Sequence, residues 1–172
     1  KRAIMDEPAD NNTQNLLHVW MTNSKRAMIA HYESANWFSR LNYFFGIPVV
    51  ALSTIVGTSV FATLQKQVAP SIQLAVGMIS VLAAVLASLQ TFLRFSDRST
   101  KHHAAASDYE SVKRQIQEAV VNRDTNTQSG ANILTQVRER MDVLGKNAPS
   151  IPKKVWDSAC KNVPFTKNAL NY

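Results

Sequence analysis

The stretch LNYFFGIPVVALSTIVGTSVFATLQ (41–65) is followed, after the single charge of Lys66, by QVAPSIQLAVGMISVLAAVLASLQTFL (67–93). Neither run contains Asp, Glu, Lys, Arg or His. Each run exceeds the ~20 apolar residues that a helix needs to cross about 30 Å of hydrocarbon at about 1.5 Å per residue. The two runs therefore predict an integral membrane protein with a transmembrane helical hairpin over residues 41–93.

The flanks of the hairpin are polar, so the 172-residue chain has a mean hydropathy of only -0.15 and a formal net charge of +7. Basic residues stand on both outer flanks, whereas the connector between the spans holds only Lys66. These flanking residues are Lys25, Arg26 and Arg40 before the first span, and Arg94, Arg98, Lys101, Lys113 and Arg114 after the second. Because cytoplasmic flanks are enriched in Lys and Arg, we expect both termini on the cytoplasmic side.

The flanks predict an all-α fold, in which amphipathic cytoplasmic helices extend the transmembrane hairpin. Residues 1–40 are expected to be extended as far as residue 12 and helical from Thr13. Residues 94–121 continue the second span as one helix from about Ser71 to Val121, since no Pro or Gly interrupts them. This continuation carries an apolar seam that is suited to packing against the N-terminal helix. The seam consists of Ala105, Tyr109, Val112, Ile116 and Ala119.

Residues 122–172 form a polar linker, Asn122–Ala131, and a basic helical tail. The periodicity predicts a short amphipathic helix from Ile133 to Leu144, closed by Gly145 as a C-cap, and a last helix after 150–152. A further break is expected in the first span, where Pro48 lacks a backbone donor and predicts a kink or a helix restart.

A stripe of small and polar residues follows one edge of the second span at steps of three and four. It consists of Gln73, Gly77, Ser80, Ala84, Ala87 and Thr91. One interpretation is close helix packing, because small residues let backbones approach. The other is a pore wall in an oligomer, with hydroxyl and amide groups facing water. The first span offers a second small pair, Ser53 and Gly57, for contact with the second span or a neighbouring protomer.

Four cations mark the cytoplasmic ends of the spans: Arg40, Arg94, Arg98 and Lys101. Such residues usually reach toward lipid phosphates, and in a ring of protomers they would instead surround the mouth of a pore. The basic tail would meet lipid headgroups or an acidic partner protein. Nucleic acid is not the expected partner, because the lysines lack interleaved aromatic residues.

The sequence contains no pattern that indicates catalysis, a metal site or a cofactor. The spans hold no ionisable group, which argues against a proton relay or a coupled transporter. The adjacent His102 and His103 point about 100° apart on a helix and cannot readily share one metal. They, His18 and His31 are expected to be solvated or to pack in the fold. We therefore expect a protein that is not an enzyme and that binds no metal and no cofactor.

A set of residues within 25–120 resembles the SLATT two-transmembrane domains. The matching residues are His31-Tyr32, Trp37-Phe38, Arg40-Leu41, Ile47-Pro48-Val49-Val50-Ala51-Leu52-Ser53, Gly57, Leu89-Gln90-Thr91-Phe92-Leu93, His103, Ala106 and Tyr109. The resemblance implies a helical hairpin with cytoplasmic extensions that oligomerises and permeabilises membranes, as effectors in microbial conflict systems are thought to do. It implies no catalytic residue.

Two functions remain open from the sequence. The first is a SLATT-like homo-oligomer that forms a pore or perturbs the bilayer. The second is a structural anchor whose hairpin holds a bilayer while its basic helices bind a protein coat. A membrane-spanning minor capsid protein of a virus with an internal membrane is an example of such an anchor. A closed ring of identical chains would favour the pore, and scattered copies that contact coat proteins would favour the anchor.

Overall fold

The computed structural model describes the backbone of residues 7–63, 68–121 and 127–165, and the side chains of residues 13–60, 68–121 and 132–165. These ranges contain helices and no strand, which confirms the all-α fold. The helices are α1 (Glu7–Thr63), α2 (Pro70–Leu93), α3 (Phe95–Val121), α4 (Thr127–Asn147) and α5 (Lys153–Asn162).

The chain divides into two compact units. Unit 1 combines the described residues of Lys1–Ala35 and Thr100–Tyr172, and unit 2 is Asn36–Ser99. Unit 1 therefore contains the first part of α1, most of α3, and the helices α4 and α5. Unit 2 contains the rest of α1 together with α2 and the start of α3.

Helix α1 is longer and more continuous than its sequence predicts. It begins at Glu7, so the prediction that residues 7–12 are extended is wrong. Pro8 falls in the first turn, where a backbone donor would have no intrahelical partner, and it therefore does not delay the start of the helix. The helix also passes through Pro48 without the predicted restart. Proline is tolerated inside apolar helices because neighbouring groups and local adjustments satisfy the backbone.

The predicted single helix from Ser71 to Val121 is wrong, because Arg94 separates α2 from α3. Arg94 has left-handed backbone angles, with φ 48° and ψ 45°. Its amide still donates to the carbonyl of Gln90 at 3.2 Å, and its own carbonyl accepts the amide of Arg98 at 3.1 Å. Both neighbouring helices thus keep their terminal hydrogen bonds. The break directs Phe95 into unit 2, where only 7% of its surface is exposed.

The core of unit 1 confirms the predicted packing of the α3 seam against α1. Leu17 of α1 and Val112 and Ile116 of α3 form one buried cluster, and Val137 of α4 joins it. Six partly buried side chains surround the cluster: Trp20, Met21, Ile133, Leu134, Met141 and Leu144. Four of the five predicted seam residues are buried, and Tyr109 is half-buried.

The C-terminal helices differ from prediction mainly in their boundaries. Helix α4 begins at Thr127, so the predicted linker is wrong for residues 127–131, and residues 122–126 lie outside the described ranges. Gly145 does not close α4, which ends at Asn147, and the backbone of Gly145 is not left-handed. Helix α5 confirms the predicted last helix after Pro152. Its following segment is fixed by Arg26, whose Nε donates to the carbonyl of Val163 at 2.8 Å.

Candidate functional site

Two helices of the described chain are long and apolar enough to cross a membrane, one within Thr13–Val60 and one within Pro70–Val121. Their most apolar windows are almost unburied, with 0% buried in the first helix and 6% in the second. The core helix of a water-soluble domain would have its apolar face covered by protein. Here large side chains such as Val50 (67% exposed) and Phe92 (82% exposed) face outward. Two long, uncovered apolar helices indicate a membrane protein.

The two apolar helices meet inside unit 2 through a polar contact and a glycine. The side-chain amide of Gln90 in α2 donates to Oδ1 of Asn42 in α1 at 3.4 Å. Opposite this pair, a Cβ built on Gly46 would lie 2.9 Å from Nε2 of Gln90. Ala83, two helical turns before Gln90 and on the same face of α2, is the buried residue of this helix. Asn42, Gly46 and Gln90 therefore form a contact between α1 and α2.

Sequence reasoning missed this contact, although a signal was present. Asn42 and Gln90 are amide side chains near the start of the first apolar run and near the end of the second. The predicted pair Ser53 and Gly57 does not serve this contact within the chain. Ser53 is exposed, and a Cβ on Gly57 would meet no atom within 4 Å. Their role in contact with another protomer stays a prediction.

The predicted stripe on α2 lies beside the α1 contact rather than on it. Ser80 and Ala87 are half-buried, and the other four members, Gln73, Gly77, Ala84 and Thr91, are exposed. At about 100° per residue, the centre of the stripe is roughly 80° around the helix from Ala83. Most of the stripe is thus left uncovered by the part of unit 2 that the structure describes.

Several hydroxyl groups along the apolar helices donate to carbonyls of their own helix. Ser80 donates to the carbonyl of Val76 at 2.8 Å, and Thr91 donates to that of Ala87 at 3.0 Å. Thr54 on α1 donates to Val50 in the same way, at 2.8 Å. Such bonds remove the penalty of a free hydroxyl proton in lipid and leave the oxygen lone pairs as acceptors. The stripe is therefore compatible with both protein packing and contact with water.

The cationic residues predicted near the cytoplasmic ends are all exposed: Arg40, Arg94, Arg98 and Lys101. Arg94 pairs with Asp97 at 3.6 Å, and the guanidinium of Arg98 stands 5.8 Å from the ring centroid of Phe38. Phe95 stacks on Phe45 at 5.6 Å between ring centroids, at the break between α2 and α3. These aromatic rings and cations of unit 2 have the composition of a membrane–water interface.

A pair of buried histidines lies in unit 1, where sequence analysis predicted only solvated or packing side chains. His31 of α1 and His102 of α3 are 1% and 3% exposed, and their Nδ1 atoms are 2.9 Å apart. The Tyr109 ring stacks on His31, with 5.6 Å between centroids and an interplanar angle of 15°. No local pattern could have found this pair, because its members are 71 residues apart in the chain.

Burial sets the protonation of this cluster. It lowers the pKa of His31 from 6.5 to about 4, with a smaller contribution from repulsion by His102. Burial also lowers the pKa of His102 and raises the pKa of Tyr109. Beside them, the Tyr32 hydroxyl donates to Oε2 of Glu110 at 3.2 Å. At neutral pH both imidazoles are therefore uncharged.

The residues that the structure describes include no group of three or more potential metal ligands. Cys160 is half-buried on α5 and forms no disulfide. No model of a protein family, no curated protein and no solved structure matches this chain.

Proposed function

We propose that this chain is a two-pass, SLATT-like membrane protein that oligomerises to form a pore or to perturb the bilayer. The observation that carries the proposal is the exposure of both apolar helices. Their surface needs lipid or further protein around it, because the described chain buries almost no residue of their most apolar windows. Residues 41–63 and 70–93 would cross the membrane, with both termini on the cytoplasmic side.

The stripe on α2 supports assembly into an oligomer. In lipid, helix association depends on close packing and interhelical hydrogen bonds, and small residues permit that approach. The stripe Gln73–Thr91 lies beside the α1 contact, and four of its six side chains remain exposed. A second copy of the chain would seal against one edge of this surface. Its exposed hydroxyl and amide oxygens would face the lumen at the other edge.

The basic ends fit the same arrangement. Arg40, Arg94 and Arg98 would lie at the cytoplasmic mouth, near headgroups or around the lumen. The helices of unit 1 have their own buried core and would form the cytoplasmic part that assembles or gates the membrane helices.

The test is ion flux through liposomes that contain the purified chain, combined with measurement of oligomer size. Ser80→Leu and Ala84→Leu should each reduce flux at least tenfold or shift the oligomer distribution, because they fill the stripe. Ala75→Leu and Met78→Leu are matched controls, since both side chains are exposed and lie roughly 140–160° around α2 from the centre of the stripe. If all four variants retain wild-type flux and oligomer size, the stripe has no such role.

A structural anchor between a bilayer and a protein coat is the second candidate. Exposed lysines on α4 and α5 favour it: Lys146, Lys153, Lys154 and Lys161. They would bind an acidic protein layer on the side of unit 1. The anchor predicts no flux from the reconstituted wild-type chain. It also predicts binding to poly-glutamate that is lost when Lys153, Lys154 and Lys161 are changed to Gln. A chain that conducts ions and ignores poly-glutamate excludes the anchor.

A further inference from the structure

The buried histidine pair joins two helices of unit 1. His31 lies on α1 and His102 on α3, and almost no surface of either imidazole reaches solvent. Their facing atoms are both Nδ1, at the hydrogen-bond distance of 2.9 Å. The imidazole planes are tilted by 44°, with 5.1 Å between the ring centroids. The two rings therefore meet edge to edge through one proton rather than through a stacked face.

This geometry allows only some protonation states. A neutral imidazole has one donor nitrogen and one acceptor nitrogen, whereas a charged imidazole has two donors. A hydrogen bond between the two Nδ1 atoms forms when one of them carries a proton and the other does not. The neutral pair and the singly charged pair both meet this condition. When both rings are charged, two donors and two positive charges face each other inside the protein, and the bond is lost.

The described contacts of His31 and of its neighbour Tyr32 are with neutral or already paired groups. On α3, the phenol of Tyr109 stacks on His31 and stays neutral because burial raises its pKa. The carboxylate of Glu110 accepts the hydroxyl of Tyr32 and pairs with Arg114 at 3.7 Å. His103 is exposed and stands edge-on to the Tyr32 ring. Arg26, on α1 and facing Val163, adds a further buried positive charge to the unit.

We propose that His31 and His102 form an acid-sensitive latch, which holds α1 against α3 while the pair carries one positive charge or none. The latch opens when both imidazoles are protonated. This inference concerns unit 1 alone and holds whether or not the chain forms a pore.

The test measures the separation of α1 and α3 in the full chain in detergent micelles. Nitroxide labels are placed on the exposed positions Lys25→Cys and Gln117→Cys, with Cys160→Ser removing the native thiol. Pulsed dipolar spectroscopy should give a narrow distance distribution at pH 7.5. The distribution should become longer and broader as the pH falls from 5 to 3, where His31, with a pKa of about 4, takes up its proton. Restoring pH 7.5 should restore the narrow distribution.

Two variants and a spectroscopic readout isolate the pair. His31→Phe combined with His102→Phe keeps the aromatic volume and should abolish the acid response. The exposed histidines give the control, since His18→Phe and His103→Phe should each respond like the wild type. If the double variant fails to fold, the ¹⁵N chemical shifts of the wild-type imidazoles, followed against pH, still test the proposal. His31 and His102 should titrate below the ordinary histidine pKa of about 6.5, in two separate steps.

The proposal is overturned if the helix separation stays constant down to pH 3, or if the double variant opens as the wild type does. Titration of both His31 and His102 at the ordinary histidine pKa of about 6.5 would overturn it as well. A loss of flux in liposomes would bear on the proposed pore and leave this measurement unaffected.

Discussion

At the scale of single residues, the two apolar helices contact each other where Gly46 of α1 faces Gln90 of α2. The side-chain amide of Gln90 fills the space that a Cβ on Gly46 would need, and it donates to Asn42. An amide in an apolar helix must find an internal partner, because lipid offers none. Gly46 makes room for that partner. The contact therefore combines close packing with hydrogen bonding, the two main sources of helix association in a bilayer.

Replacing Gly46 with Leu should destabilise the chain by about 1–3 kcal/mol, because the larger side chain displaces Gln90 from Asn42. Thermal unfolding in detergent micelles, followed by circular dichroism, measures the change. Gly57→Leu is the matched control, since open space surrounds that position, and its unfolding temperature should stay within the range of the wild type. Equal losses at both glycines would contradict the assignment of Gly46 as the contact.

The histidine pair gives unit 1 a dependence of stability on pH. The folded chain lowers the pKa of His31 from 6.5 to about 4, so the unfolded chain binds its proton first as the pH falls. The stabilisation is fully present above pH 6.5 and decreases between pH 6.5 and 4. The shift corresponds to about 3 kcal/mol over that window. His31→Phe should reduce the dependence of the unfolding free energy on pH between pH 7 and 4.5. His18→Phe, the control, should keep the dependence of the wild type. If His31→Phe keeps the full pH dependence of the wild type, that dependence comes from groups other than His31.

At the scale of elements, the break between α2 and α3 is the main feature that cannot be predicted from the local sequence. A left-handed backbone at a residue with a Cβ costs about 1–3 kcal/mol. The burial of Phe95 against Phe38 and Phe45 offsets that cost. The break therefore depends on aromatic packing between helices rather than on a helix-breaking residue at position 94.

Arg94→Gly should stabilise the chain by about 1 kcal/mol, since glycine adopts left-handed angles without a steric penalty. Arg94→Ala keeps the Cβ and removes only an exposed ion pair with Asp97, so it should change stability by less than about 1 kcal/mol. The comparison is made by thermal unfolding in micelles. If the two variants are equally stable, position 94 does not adopt the left-handed conformation in solution.

The seam of α3 is expected to hold unit 1 together. Ile116 is completely buried between α1 and α4, and its truncation to Ala should cost about 2–5 kcal/mol through lost burial and a residual cavity. Val121→Ala on the same helix should cost little, because 74% of Val121 is exposed. Chemical unfolding of the full chain in micelles distinguishes the two. Similar small effects would show that the seam is not the core.

The elements differ in how far they could be predicted, for physical reasons. The apolar runs and the seam of α3 follow from composition and helical periodicity, which are local properties. The start of α1 at Glu7 and of α4 at Thr127 was missed because polar segments with Pro or Asn were assigned to loops. The break at Arg94 and the His31–His102 pair were missed because each depends on contacts between distant segments. The residues of the stripe on α2 could be identified from their spacing. Their position beside the α1 contact could not, because it depends on how the two helices pack.

At the scale of the whole molecule, the account depends on the environment of the two apolar helices. Almost no residue of their most apolar windows is buried, and several of their hydroxyl groups donate to carbonyls of their own helix. Both properties suit hydrocarbon, in which polar groups must be satisfied internally. Unit 1 differs in that its apolar residues form a buried core of their own. A membrane-embedded unit 2 and a water-exposed unit 1 explain both patterns.

The most direct test of this account is the depth of nitroxide labels in liposomes that contain the full chain. Single labels at Val50→Cys, Val81→Cys and Lys154→Cys, each with Cys160→Ser, occupy exposed positions on α1, α2 and α5. The account predicts that labels at 50 and 81 collide with dissolved oxygen and are protected from a water-soluble nickel complex, whereas the label at 154 shows the reverse. Collision of the nickel complex with labels at 50 and 81 as readily as at 154 would contradict it.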